Sequence, residues 1–94
     1  MLFRSRVQAQ LDLHGLTQAQ ARVQLREFLL EALQRDARCL RIVHGKGLRS
    51  GPQGPVLRQL VNSVLRRTAA VLAFASARQV DGGTGAVYVL LAGP

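Results

Sequence analysis

The sequence predicts an α/β (α+β) two-layer sandwich with the order β-α-β-α-β-β: a four-stranded mixed sheet carrying two helices. Three observations lead there. Two stretches place apolar residues at spacings of three and four, the period of a helix with one buried face. Four short stretches are rich in branched and apolar residues, as strands are. The first two strands alternate with the two helices, which implies parallel units with right-handed crossovers, closed by one antiparallel strand. A length of 94 residues with 48% hydrophobic content fits one small domain with a modest core.

Residues 8–13 form the first strand, ending at His14-Gly15. Thr17 is a helix N-cap, and Gln20 three residues later completes a capping box. Ala21, Leu25, Phe28, Leu29, Ala32 and Leu33 make the buried stripe of that helix, which ends near Asp36. Residues 39–43, Cys-Leu-Arg-Ile-Val, make a largely buried strand in which Cys39 is a small core residue. Four glycines and two prolines between Gly45 and Pro55 demand a loop, and Pro55 suits the first turn of the next helix. Val56, Leu57, Leu60, Val61, Val64 and Leu65 are its apolar stripe. Residues 71–77 and 86–91 flank Asp81-Gly82-Gly83-Thr84-Gly85 and read as a hairpin with a long glycine turn.

Charge narrows the function. The net charge is +8, and it is uneven. Residues 1–36 hold five Arg against four acids, +1; residues 37–94 hold seven Arg and Lys46 against Asp81 alone, +7. So basic a domain points to a polyanion, with nucleic acid first and an acidic membrane surface second, and arginine suits bidentate contact with phosphate. The four aromatic residues are too few for a base-stacking surface, and Phe28, Phe74 and Tyr88 read as core, so backbone binding is favoured over base readout. The longest apolar runs are seven residues, far short of the ~20 of a membrane span, so a transmembrane protein is excluded, and nucleic acid rather than a membrane is the expected partner. One cysteine and no signal peptide fit the cytoplasm.

Ligands of parallel β-α units gather where strands end and helices begin, and both histidines stand there. Strand alternation puts Asp12 and His14 on one face, where the carboxylate can orient the imidazole as a base. His44-Gly45-Lys46-Gly47 offers backbone N–H groups and Lys46 to an anion, with Arg49 from the same loop. Gly83 and Thr84 of the hairpin turn can touch a phosphate too. Arg66 and Arg67 extend the basic surface along the second helix. The P-loop and dinucleotide fingerprints both fail here, which argues against a nucleotide cofactor. Asp12, His14 and His44 have no zinc spacing and no cluster of further ligands, so no metal site is expected.

Three segments in order resemble the Smr (small MutS-related) domain. They are Leu11-Asp12-Leu13-His14-Gly15, Ile42-Val43-His44-Gly45-Lys46-Gly47, and the run from Gly82 to Leu91. The resemblance spans about residues 8–92, leaving residues 1–7 as a basic N-terminal tail and 8–94 as the domain. The pattern is nearest to the bacterial stand-alone Smr proteins, although their usual N-terminal extension is nearly absent here. The family's basic residue after the last strand is also missing, since Ala92-Gly93-Pro94 follows.

The resemblance implies a fold similar to the C-terminal domain of translation initiation factor three. It also implies endonuclease activity on DNA or RNA, in recombination and repair or in messenger cleavage on stalled ribosomes, with the ribosome as a further partner. By motif, Asp12 and His14 match the family's D-x-H pair, and His44 to Gly47 its H-G-x-G motif. On that reading His14 is the base, and His44 or a water the acid. No cofactor is required, with Mg²⁺ or Mn²⁺ an optional activator of DNA nicking. The competing reading is a nucleic-acid or ribosome-binding module that does not cut. DNA against RNA and the oligomeric state stay open.

Overall fold

The computed structural model describes residues 7–45, 54–77 and 85–93. Its elements follow the expected order: β1 (Ala9–Asp12), α1 (Gln18–Gln34), β2 (Cys39–Val43), α2 (Gly54–Arg67), β3 (Val71–Ser76) and β4 (Ala86–Leu91). Most of the N-terminal tail, residues 1–6, lies outside the described residues.

The four strands form one sheet in the order β1-β2-β4-β3. β1 runs parallel to β2, with Asp12 opposite Val43. β4 is the antiparallel strand, and it closes the sheet from within by pairing with both β2 and β3. β1 and β3 are therefore the two edges.

Alternation along each strand divides the molecule into two layers. Leu40 and Ile42 of β2, with Val87, Val89 and Leu91 of β4, face the helices. Leu25 and Leu29 of α1 and Leu57, Val61 and Leu65 of α2 meet them, all buried. Burying each such side chain contributes roughly 1.5–3 kcal/mol. Phe28 and Phe74 pack half-buried against this core, as expected of core aromatics. Tyr88 is also buried but points to the other sheet face, with Ala77 and Ala86. Cys39 is buried, and burial pushes its thiol pKa up, away from the reactive thiolate.

Local signals set the ends of α1. The Thr17 Oγ1 accepts from the Gln20 backbone N–H at 3.2 Å, and the Gln20 side chain accepts from the Thr17 N–H at 3.0 Å. The helix ends where Asp36 adopts φ +58°. The Asp36 and Ala37 amides then donate back to Leu33 and Ala32 at 3.2 and 2.9 Å, closing the last turn.

Candidate active site

Leu13 is the pivot of the first half of the site. Its side chain is fully buried, and its N–H donates to the Val43 carbonyl at 2.7 Å. With Leu13 pinned inward, alternation turns Asp12 and His14 outward together. Gly15 then takes φ +82°, a conformation strained for any residue with a Cβ, and the Leu16 N–H donates back to Leu13 at 3.1 Å. The chain reverses at once into α1.

Asp12 Oδ1 accepts twice from one residue: from the His14 backbone N–H at 3.0 Å and from the ring Nδ1 at 2.8 Å. Partial burial works to raise the Asp12 pKa. The His14 hydrogen bonds, its charge and that of Arg41 outweigh this, so the carboxyl sits below its ordinary range and stays ionised at neutral pH. An ionised carboxylate only accepts, so the Nδ1 carries a proton. In the neutral ring the Nε2 lone pair is therefore bare. Both side chains are well exposed, 62% for His14 and 50% for Asp12.

His44 ends β2 as His14 ends β1, yet its setting is opposite. It is 2% exposed. Its Nδ1 lies 2.9 Å from the Gly45 carbonyl, which can only accept, so here too Nδ1 carries the proton. Burial lowers its pKa, the Gly45 bond opposes that, and the Arg58 charge lowers it further. Buried and neutral, His44 presents a lone pair at Nε2 and has no second proton to give. The backbone N–H groups of His44 and Gly45 both donate to the Gly85 carbonyl, at 2.9 and 3.0 Å. The ends of β1 and β2 and the start of β4 thus meet at one end of the sheet.

A family model for the Smr domain matches residues 11–92. The chain belongs to the Smr domain family. Endonuclease MutS2 of Thermus thermophilus is 38% identical over 82 residues, covering 87% of this chain and 10% of that protein. Ribosome rescue factor SmrB of Tolumonas auensis is 35% identical over 81 residues, covering 86% of this chain and 43% of that protein. The chain spans less than half the length of either relative. The crystal structure of the Smr domain of Thermus thermophilus MutS2 superposes with a TM-score of 0.78 at 37% identity, covering 88% of this chain and 96% of that one. YdaL, a stand-alone small MutS-related protein from Escherichia coli, gives 0.84 at 32% identity, covering 90% and 65%. The resemblance drawn from the three motifs is borne out, and so is the α+β fold.

The other candidate residues of this Smr domain fall into two groups. Lys46, Gly47, Arg49, Gly83 and Thr84 lie outside the described residues, although Gly45 and Gly85, which border them, are joined by the bond above. Arg66 and Arg67 occupy the last turn of α2. That end leads to Val71, which pairs with Leu91 at the far end of the sheet from Val43 and Ala86. The two arginines are roughly 13 Å of helix rise beyond Arg58.

Two cations that sequence reasoning left aside stand closer. Arg41 shares with Asp12 the sheet face opposite the helices, acts on its charge, and donates to the Gln10 side chain at 2.8 Å. Arg58 projects its charge onto His44. Arg41 was within reach of the strand alternation, which puts it on the Asp12 face once β1 and β2 pair in parallel. Arg58 had no local signal. Among the described residues, no three His, Cys, Asp or Glu side chains come together as metal ligands, and none of the helices is long and apolar enough to cross a membrane.

Proposed function

We propose that this Smr domain is an endonuclease that grips the phosphate backbone with little sequence preference and cuts RNA, nicking DNA more slowly. One observation carries the reading: an exposed imidazole whose Nδ1–H is held by an ionised carboxylate, leaving Nε2 bare as a proton acceptor. The names of two relatives, an endonuclease and a ribosome rescue factor, support it, and so does the +8 charge.

His14 Nε2 takes the proton of the ribose 2′-OH as that oxygen attacks phosphorus. The O2′–P bond forms and the P–O5′ bond breaks, giving a 2′,3′-cyclic phosphate, while the departing O5′ takes a proton. That proton comes from water, because His44 has none to offer. Asp12 offsets the charge that His14 gains. Arg41 and Arg58, with the Lys46 and Arg49 loop and the Gly83-Thr84 turn, balance the charge growing on the phosphorane. DNA has no 2′-OH and needs an activated water, a role in which Mg²⁺ or Mn²⁺ would help.

End-group analysis of RNA cleaved in excess EDTA tests the chemistry. The expected products carry a 2′,3′-cyclic phosphate and a 5′-OH. A 3′-OH with a 5′-phosphate, or complete loss of cleavage with the chelator, overturns this route. Binding without any cleavage of RNA or plasmid DNA makes the domain a binding module.

A further inference from the structure

The outer flank of α1 carries residues that the nuclease reading does not use. Arg22, Arg26, Leu30 and Leu33 follow at spacings of four, four and three, so they form one row along the helix. Leu30 is 60% exposed, and Val23 beside the row is 58% exposed. Between this row and the C-terminal half of α2 lies a cleft of about 440 Å³. Its apolar lining is Leu29, Leu30, Leu33 and Val64; its cations are Arg22, Arg26 and Arg67.

No carboxylate lines the cleft among the described residues. The acids of α1 point elsewhere: Glu31 pairs with Arg35 at 2.7 Å, and neither it nor Glu27 borders the cleft. Three guanidinium groups thus surround an apolar trough that, among the described residues, nothing of opposite charge lines. Charge selects an acidic occupant. A nucleic-acid backbone would satisfy the arginines but leave Leu30, Leu33 and Val64 against water or sugar. An amphipathic helix with one apolar row and acidic flanks satisfies both halves of the surface.

We infer that the α1–α2 cleft docks an acidic amphipathic helix of a partner protein. The helices cover one face of the sheet, and Asp12 and His14 stand on the other. Docking therefore leaves the candidate site open, and a partner bound here recruits or places the domain without blocking it. The inference does not depend on cleavage, since its readout is binding.

Three synthetic helical peptides test it, sharing one leucine row and differing only in flanks of Glu, Gln or Lys. Affinity is read by fluorescence anisotropy, and the docked surface by amide shifts of the ¹⁵N-labelled chain. The Glu peptide should bind at least about tenfold more tightly than the Gln peptide, and the Lys peptide not at all. Its shifts should centre on Leu30, Leu33 and Val64. Leu30→Ser and Arg26→Gln should each weaken it by about tenfold or more, with melting temperature unchanged. Three results overturn the proposal: no binding of the Glu peptide at about 1 mM, affinity indifferent to flank charge, or an RNA oligonucleotide that gives the same shifts and displaces the peptide.

Discussion

The two histidines occupy matching places, each just past the end of a strand in the parallel pair, yet they sit in opposite surroundings. His14 lies at the free edge of the sheet, exposed, with a carboxylate on its Nδ1. His44 lies at the end of β2, between β1 and β4 and within reach of the Arg58 charge, buried, with a peptide carbonyl on its Nδ1. Both rings have the same tautomer. The difference lies in what happens on gaining a second proton. Asp12 and open solvent flank the His14 ring, whereas burial and Arg58 oppose a charged His44. One ring stands open to solvent, and the other is built into the join between β2 and the start of β4.

Alanine at each position should break the symmetry most sharply. His14→Ala should cut RNA cleavage by about 10²–10⁴-fold with an unchanged melting curve, as loss of a general base does. His44→Ala opens a void and leaves the Gly45 carbonyl without its partner, so it should cost roughly 1–3 kcal/mol of stability. Denaturant unfolding beside initial rates separates the two. Equal stability losses in both variants, or full activity in His14→Ala, would erase the distinction.

Asp12→Asn sharpens the His14 side. The amide oxygen still accepts from Nδ1, so tautomer and orientation persist, but the negative charge is gone. Single-turnover rates should fall by about ten- to a hundredfold, less than for His14→Ala. An effect as large as removing the ring would mean that Asp12 does more than steady it.

The smallest effect is one of pH, and it belongs to His44. Its folded pKa lies below the ordinary 6.5, mainly through burial. Between those two values the unfolded chain binds a proton that the native chain refuses. Stability should therefore fall as pH drops through about 6.5 and level off below the folded value. His44→Gln should flatten that slope in urea titrations. Asp12 acts lower on the scale: its depressed pKa adds stability above about 3.8 that is lost on further acidification.

What was legible in the sequence was local. Thr17 and Gln20 of the capping box stand three positions apart, and Asp12 and His14 two, so a local motif and strand alternation place them. The helical stripes name their own buried residues, with Phe28 and Leu33 at the half-buried margin. What stayed hidden depends on contacts between distant segments. His44 is buried because Gly85, forty-one positions on, accepts its backbone N–H and seats β4 against β2. Arg58 reads as one more solvated helix residue until α2 is laid beside the β2 end. Arg66 and Arg67, a conspicuous basic pair in the sequence, turn out to crown the opposite end of that helix.

β1 is an outer strand of only four residues, and the His14 ring stands at its open tip. A groove closed on both sides would have to be threaded from a terminus, and a molecule lacking ends could never enter it. On the proposed chemistry, a strand laid against this exposed tip enters sideways, at any point of its length. A closed ring of RNA is then as good a substrate as a linear piece, and a chain held at both ends by a larger assembly can be severed where it stands.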